Sequence, residues 1–356
     1  MTQRSNPYDD QPDRAFWSSA VAQGFWPSAM GGDTDLLGAR DRVMSIGSCF
    51  AANVQPYLDR AGITYVRTEP VKPQLAHLPE NLAYRSFSAA YGNVYTARQM
   101  LQLLQRATGQ FMPNEDRWHD DGHVIDPFRP GLAYPALSDV EFDAATRIHL
   151  DAVRSAVEQA TVMIVTLGLT EAWADRTDGA VYPTCPGSVG GTFDSSRHVF
   201  MNFRYEEIVS DLATFLRIAR SLNPTLRFVF TVSPVSLVAT ATAHHVLAAS
   251  TYSKSVLRAA AGDICDDHDG VAYFPAYEIV TGPQAPASYF ASNRRTVTPE
   301  GVEAVMSALL GANAAQMPQT NVQSTDADNA YALSSLIAAA ECDEELLDRI
   351  RSDNCA

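Results

Sequence analysis

Short apolar runs alternate with longer amphipathic stretches along most of the chain. A largely apolar run, Val43 to Ile46, stops at Gly47; Ser48 follows, and Phe50, Val54, Tyr57 and Leu58 continue at roughly helical spacing. That pattern predicts a strand, a tight turn and a helix over about 50–61. Ile63 to Val66 predicts a second strand by its β-branched content. Residues 67–95 carry Pro70, Pro73 and Pro79 and are expected to be irregular. Met100, Leu101, Leu103 and Leu104 mark an amphipathic helix from Thr96, its cap, to Ala107. Residues 108–140 are polar and turn-rich, the pattern of an inserted β-hairpin or loop. Phe142 to Ala160 predicts a helix, and Val162 to Leu167 a strand buried on both faces.

Residues 174–200, with Pro183, Pro186 and four glycines, are expected to form a loop. Helix (Tyr205 to Ser221), strand (Phe228 to Val232), helix (His244 to Ala261), strand (Val271 to Phe274) and closing helix (Pro299 to Leu310) then follow. Strands alternating with helices predict an α/β fold, a three-layer sandwich with a central parallel sheet and ligands at the carboxyl ends of its strands. The body spans 41–310. Residues 1–40 are expected to be an irregular arm whose Phe16, Trp17, Phe25 and Trp26 pack on that body, since disordered segments are poor in aromatics. Residues 311–330 resemble a linker. Residues 331–356 carry Leu333, Leu336, Ile337, Leu347 and Ile350 at helical spacing. They predict an amphipathic helix that docks on the body, on a protein partner or on a second copy.

Composition narrows the function classes. The 356 residues are 46% hydrophobic and 19% charged, as expected of a soluble globular protein, and the formal net charge is −15. Such acidity argues against nucleic acid and against an anionic membrane surface as partners. No run of eighteen apolar residues occurs, and Met1 to Arg14 lacks the apolar core of a secretory leader. The five cysteines are odd in number, widely spaced and without a C-x-x-C, which predicts reduced thiols in a cytoplasmic protein. There is no P-loop, no Rossmann glycine fingerprint, no G-x-S-x-G and no H-E-x-x-H. Neither a cofactor nor a metal is therefore expected. His119, Asp120, Asp121 and His123 invite a metal reading, but an exposed turn accounts for the same run.

The candidate chemistry lies where the predicted strands end. Ser48 precedes a helix, where unpaired N–H groups carry partial positive charge. It is either an N-cap or a nucleophile with those N–H groups beside it to hold an oxyanion. Cys49 is the competing nucleophile, although a residue there usually points inward. Gly168 to Glu171, Ser233-Pro234 and residues 276–296 follow the other strands and should share Ser48's rim.

Gly47-Ser48-Cys49-Phe50-Ala51 spells the name of the GSCFA family, and the chain resembles that family over about residues 30 to 310. Tyr91 to Thr96, Asp126 to Pro130, Thr166 to Trp173, Thr231 to Val235 and Tyr252 to Arg258 carry the same resemblance, in the expected order. It implies an SGNH-type (GDSL-like), flavodoxin-like α/β fold and a serine esterase or O-acyltransferase acting on an acylated small molecule or carbohydrate. By the same resemblance Ser48 falls at the nucleophile position, Gly92 or Asn93 at the glycine of the oxyanion hole and Thr170 at its asparagine. The last SGNH block, Asp-x-x-His, falls on Asn293 and Thr296, neither of which can act as the base a serine needs.

Another histidine must then serve. His245 opens a predicted helix in a His-Val-Leu string that resembles other members, with Glu171 placed to orient it; a helix-capping histidine is the competing reading. His198 is the second choice, and His77 and His149 are expected to be solvated. The alternative to an enzyme is a catalytically degenerate module that keeps the fold and recruits a partner through its C-terminal helix.

Overall fold

In the computed structural model, residues 6–22, 27, 30, 36–69, 71, 87–132 and 134–311 are described. Five parallel strands form the central sheet: β1 (Arg42–Gly47), β2 (Thr64–Tyr65), β5 (Val162–Leu167), β9 (Arg227–Val232) and β10 (Val271–Tyr273), in the order β10-β9-β5-β1-β2. The chain leaves β1 outward to β2, then returns past β1 to β5 and continues through β9 to β10. The direction of winding reverses between β1 and β5, the kind of switch point at whose carboxyl ends open α/β sheets bind ligands.

Alternation along the strands makes the layers. Met44, Ile46, Met163, Val165, Leu167, Phe228, Phe230 and Val232 bury on one face. Against them pack α3 (Ala97–Ala107), α4 (Asp139–Gln159), α5 (Tyr205–Leu222) and α6 (Val246–Asp267). Val43, Val162, Ile164 and Val229 bury on the other face, under α2 (Val54–Arg60), α7 (Ala276–Thr281) and α8 (Pro299–Leu310). The result is the three-layer α/β/α sandwich that the strand and helix alternation predicts. Caps fix the helix starts: Thr96, Ser138 and Thr298 each accept an N–H from the first turn of α3, α4 and α8.

Several elements depart from the sequence pattern. The helix expected over 50–61 is two, α1 (Cys49–Ala52) and α2, because Pro56 has no N–H to donate to the carbonyl four residues earlier. Residues 174–200 are not a loop throughout. Together with the residues just before and after, they supply β6 (Glu171–Asp175), β7 (Val181–Tyr182) and β8 (His198–Asn202), an antiparallel sheet in the order β7-β6-β8. Strands this short leave little periodicity to read. The expected hairpin within 108–140 is β3 (Trp118–Asp120) and β4 (His123–Ile125). Its two-residue turn has positive φ at both Asp121 and Gly122, the favoured hairpin geometry.

Of the aromatics expected to pin the arm, Phe16 and Trp17 stand exposed, whereas Phe25 and Trp26 lie outside the described residues. Leu37 supplies the buried contact instead. The linker and the C-terminal helix also lie outside the described residues. Among those described, no helix is long and apolar enough to cross a membrane.

Asp41 ties the amino end of the sheet together. Its carboxylate accepts from Gly38 N–H (2.7 Å), from the Thr161 hydroxyl (2.7 Å) and, through both oxygens, from Arg227 Nη2 (2.8 and 2.7 Å). Burial alone would raise its pKa; these donors outweigh it and hold the carboxyl below its usual value. A depressed folded-state pKa contributes stability above the unfolded value, and that contribution is lost as pH falls through the folded one. Arg227 is 45% exposed, so screening weakens the ion pair and the hydrogen bonds carry most of the effect. Asp41→Asn is expected to destabilise the fold by about 2 kcal/mol at pH 7 in urea unfolding. The difference from wild type should shrink as pH falls below about 4.

Candidate active site

Gly47 ends β1 with φ of 152°, in register with Thr166 of β5. A Cβ at Gly47 would lie 2.6 Å from the Thr166 carbonyl oxygen and 2.7 Å from its Cβ. Only glycine fits, in space and in backbone angle. The chain then carries Ser48 past the carboxyl end of β1, where the winding reverses, and turns into α1. Ser48 is buried, and its carbonyl accepts the Ala51 N–H at 2.7 Å.

A second segment runs along the free edge of β1 beyond short β2. The Ser88 hydroxyl accepts the Ser45 N–H (3.4 Å), the Tyr91 hydroxyl donates to the Ser45 carbonyl, and Val94 N–H donates to the Gly47 carbonyl (2.9 Å). Gly92 and Asn93 therefore sit immediately before the residue bonded to the Ser48 turn. Gly92 has φ of 65° with open space around a Cβ, so its backbone angle alone calls for glycine. Gln99 on α3 clamps the same segment: its Oε1 accepts Tyr95 N–H and its Nε2 donates to the Asn93 carbonyl, both at 2.9 Å.

The loop after β5 meets this segment. Leu169 N–H donates to the Tyr95 carbonyl at 2.8 Å, and a Cβ at Gly168 would stand 2.9 Å from that oxygen. Thr170 is fully engaged: its N–H donates to Ser253 Oγ (3.0 Å), its hydroxyl to Asn202 Oδ1 (2.7 Å), and its carbonyl accepts Phe203 N–H (2.8 Å). Buried Lys254 donates to the Gly168 carbonyl at 2.7 Å. After β9, Ser233 N–H donates to the Leu167 carbonyl, and Arg295 Nε to the Ser236 carbonyl, each at 2.9 Å. The rim thus gathers Ser48, Gly92, Asn93, Gly168, Thr170 and Ser233. Lys254 and Asn202 belong to it too; only the Tyr252 to Arg258 string hinted at the first, and nothing in the sequence at the second.

The base positions tell a different story. Asn293 and Thr296 bond each other, Nδ2 to Oγ1 at 2.9 Å, closing an exposed turn. His245 is the exposed N-cap of α6, and its Nδ1 accepts Leu247 N–H at 3.1 Å. An accepting Nδ1 leaves the neutral ring's proton on Nε2, so the one nitrogen with a lone pair is already occupied. Glu171 accepts from the Thr240 hydroxyl (2.8 and 3.0 Å) and from Ala241 N–H (3.3 Å), with no imidazole among the described residues bonded to it. His198, on β8, is buried between Asp194 N–H and Glu115. No imidazole is hydrogen-bonded to Ser48 among the described residues.

A carboxylate–imidazole pair does exist, at residues the sequence did not single out together. His149, expected to be solvated, is buried on α4, and its Nδ1 lies 2.7 Å from Glu69 Oε2. Burial, reinforced by Arg129, pushes the imidazole pKa down and keeps the ring neutral. Burial also works to raise Glu69, but His149 and Arg129 hold it below its usual value, so it is the acceptor and His149 Nδ1–H the donor.

Elsewhere, His119 bonds Asp139 and His123 bonds the Asp121 carbonyl, both in exposed settings. Among the described residues no cluster of three His, Cys, Asp or Glu could hold a metal.

The family profile of the GSCFA family matches residues 42–309. No curated protein matches the sequence. Among solved structures, the chain is similar to a Streptococcus pneumonia protein described as a platelet activating factor, at 10% identity and TM-score 0.36, over 81% of this chain and 89% of that one. It is also similar to a Clostridium thermocellum family 3 carbohydrate esterase, at 9% identity and TM-score 0.34, over 78% and 99%. An acetyl xylan esterase from Butyrivibrio proteoclasticus shares 14% identity at TM-score 0.31, over 79% and 65%. Likenesses this distant carry no argument about activity.

Gly47→Ala tests the geometry of the Ser48 turn. The clash with the Thr166 backbone and the unfavourable φ together are expected to cost about 3 kcal/mol or more, read by thermal or urea unfolding. Gly92→Ala, where space is open, should cost only about 1 kcal/mol.

Proposed function

The chain belongs to the GSCFA family, and on that premise we propose that it handles acyl esters through Ser48, as an SGNH-like serine esterase or O-acyltransferase. The observation that carries the reading is the Ser48 turn itself. A buried serine rises over the carboxyl end of β1 at the winding reversal, on a glycine that no other residue can replace. In the proposed reaction Ser48 Oγ attacks the ester carbonyl and a base takes its proton. The alkoxide leaving group departs with a proton returned from that base, and water or an acceptor hydroxyl then resolves the acyl-enzyme. The Ser48 N–H and the Gly92–Asn93 segment would face the oxyanion. In this reading Thr170 must release Asn202 or Ser253 before it can donate to the oxyanion, because its hydroxyl and its N–H are bonded to those side chains.

The base in this reading is His245, which must release the Leu247 N–H to free its lone pair. Glu171, at the same rim, would orient the ring. The substrate is an acylated small molecule or carbohydrate, and the compartment is the cytoplasm.

A second reading, a degenerate binding module, draws on one observation: His245 caps a helix and, among the described residues, no imidazole is hydrogen-bonded to Ser48. Intact-mass labelling with a fluorophosphonate separates the two. Stoichiometric labelling of wild type, absent in Ser48→Ala and slowed about a hundredfold or more in His245→Ala, is the expected result. Labelling lost only in Ser48→Ala keeps the nucleophile and rejects His245. A folded wild type that never labels, even at high probe concentration, favours the binding module.

A further inference from the structure

The Asp126-Pro127-Phe128-Arg129-Pro130 string has no role in the chemistry above, yet both of its charged residues are buried. Arg129 Nε donates to Asp126 Oδ2 at 2.8 Å, and its Nη1 reaches Glu69 Oε1 (3.5 Å) and the Ala90 carbonyl (3.4 Å). Glu69 Oε2 accepts from Ala90 N–H at 2.8 Å and from His149 Nδ1 at 2.7 Å. Both backbone polar groups of Ala90 are therefore held by this cluster. Ala90 lies two residues before Gly92 and four before Val94, whose N–H bonds the Gly47 carbonyl.

We propose that the Glu69–His149–Arg129–Asp126 cluster is the positioning device for the Gly92–Asn93 segment, fixing by its grip on Ala90 how that segment sits beside Ser48. These are positioning residues: they act through the loop and do not touch a substrate. The link to reactivity rests on the Ser48 reading above; the link to the loop does not.

The chemistry suits the task. Glu69 and Asp126 are ionised, and the charge of Arg129 is joined at Asp126 by that of buried Arg106, so the two carboxylates face two cations and the ring of His149 can stay neutral. A buried carboxylate that accepts from a backbone N–H and an imidazole N–H at once cannot shift without leaving one of them unpaired. His149 Nε2 is buried with no hydrogen-bond partner among the described residues. The ring's contribution to the network is thus its single Nδ1–H bond to Glu69, which a glutamine side chain can supply in its place.

The experiment compares His149→Ala, His149→Gln and Arg129→Lys by amide hydrogen exchange and by fluorophosphonate labelling of Ser48. His149→Ala is expected to speed exchange at residues 90–94 selectively, with residues 228–232 of β9 unchanged, and to slow labelling about tenfold. His149→Gln, which can donate to Glu69 but cannot act as a base, should restore both. Arg129→Lys keeps the charge but not the fork that spans Asp126 and Ala90, and should speed exchange at 90–94 if His149→Ala fails to fold. Unchanged exchange at 90–94 in folded variants overturns the proposal. Slow labelling that glutamine does not rescue, with exchange unchanged, would instead make His149 a base. Should wild type not label at all, the Ser48 reading fails and the exchange data alone decide the positioning role.

Discussion

The approach of β1 to β5 at their carboxyl ends is the constraint on which the rest of the rim depends. Gly47 stands opposite Thr166 with no room for a Cβ, and that contact determines where Ser48 can rise. One strand over, Gly168 lies so near the Tyr95 carbonyl that it too must lack a side chain. Two adjacent strand ends stripped of side chains let a third segment, residues 93–95, bond to both through Val94 N–H and the Tyr95 carbonyl. Backbone meets backbone across three pieces of chain, and the site inherits the rigidity of the sheet.

Polar side chains lock the outer parts of that arrangement. Gln99 holds both ends of Asn93–Tyr95, Ser253 and Asn202 hold Thr170, and Lys254 holds Gly168. Each is buried or nearly so, where a polar group left without a partner is costly. A network of this kind has few alternative arrangements, which suits a preorganised site. It also explains why Thr170 is a poor oxyanion donor through its hydroxyl: the residue is placed there to hold β8 against the rim.

The imidazoles show how the same side chain is put to different uses by its surroundings. His245 accepts a helix N–H at the surface, His198 bridges Asp194 and Glu115 inside the inserted sheet, and His149 donates to a buried carboxylate. Burial keeps the last of these rings neutral, and its bond to Glu69 makes it part of the loop support.

Much of the fold was legible in the chain. Val162 to Leu167 and Phe228 to Val232 are long enough, and apolar enough, to read as buried strands, and the 3.6-residue pattern marked α3, α5 and α8. Gly47-Ser48 announced a strand-end serine because glycine, hydroxyl and helical spacing are local signals. Asp121-Gly122 likewise carried its hairpin turn in two residues. The inserted sheet was not legible, since strands of two to five residues leave no periodicity of their own, and the pairing that joins β6 to β8, Glu171 with Asn202 through Asp175 with His198, spans an intervening strand and loop.

The surroundings of the histidines were not legible for a related reason. Whether a histidine caps, bridges or orients depends on which groups face it, and Glu69 lies eighty residues from His149. Sequence alone determined the longer elements and the serine at the end of β1, because both depend on neighbours along the chain. Tertiary structure alone decided which polar groups meet at the rim and which charges are buried behind it. Burial and hydrogen-bond partnership belong to residues brought together from distant parts of the chain.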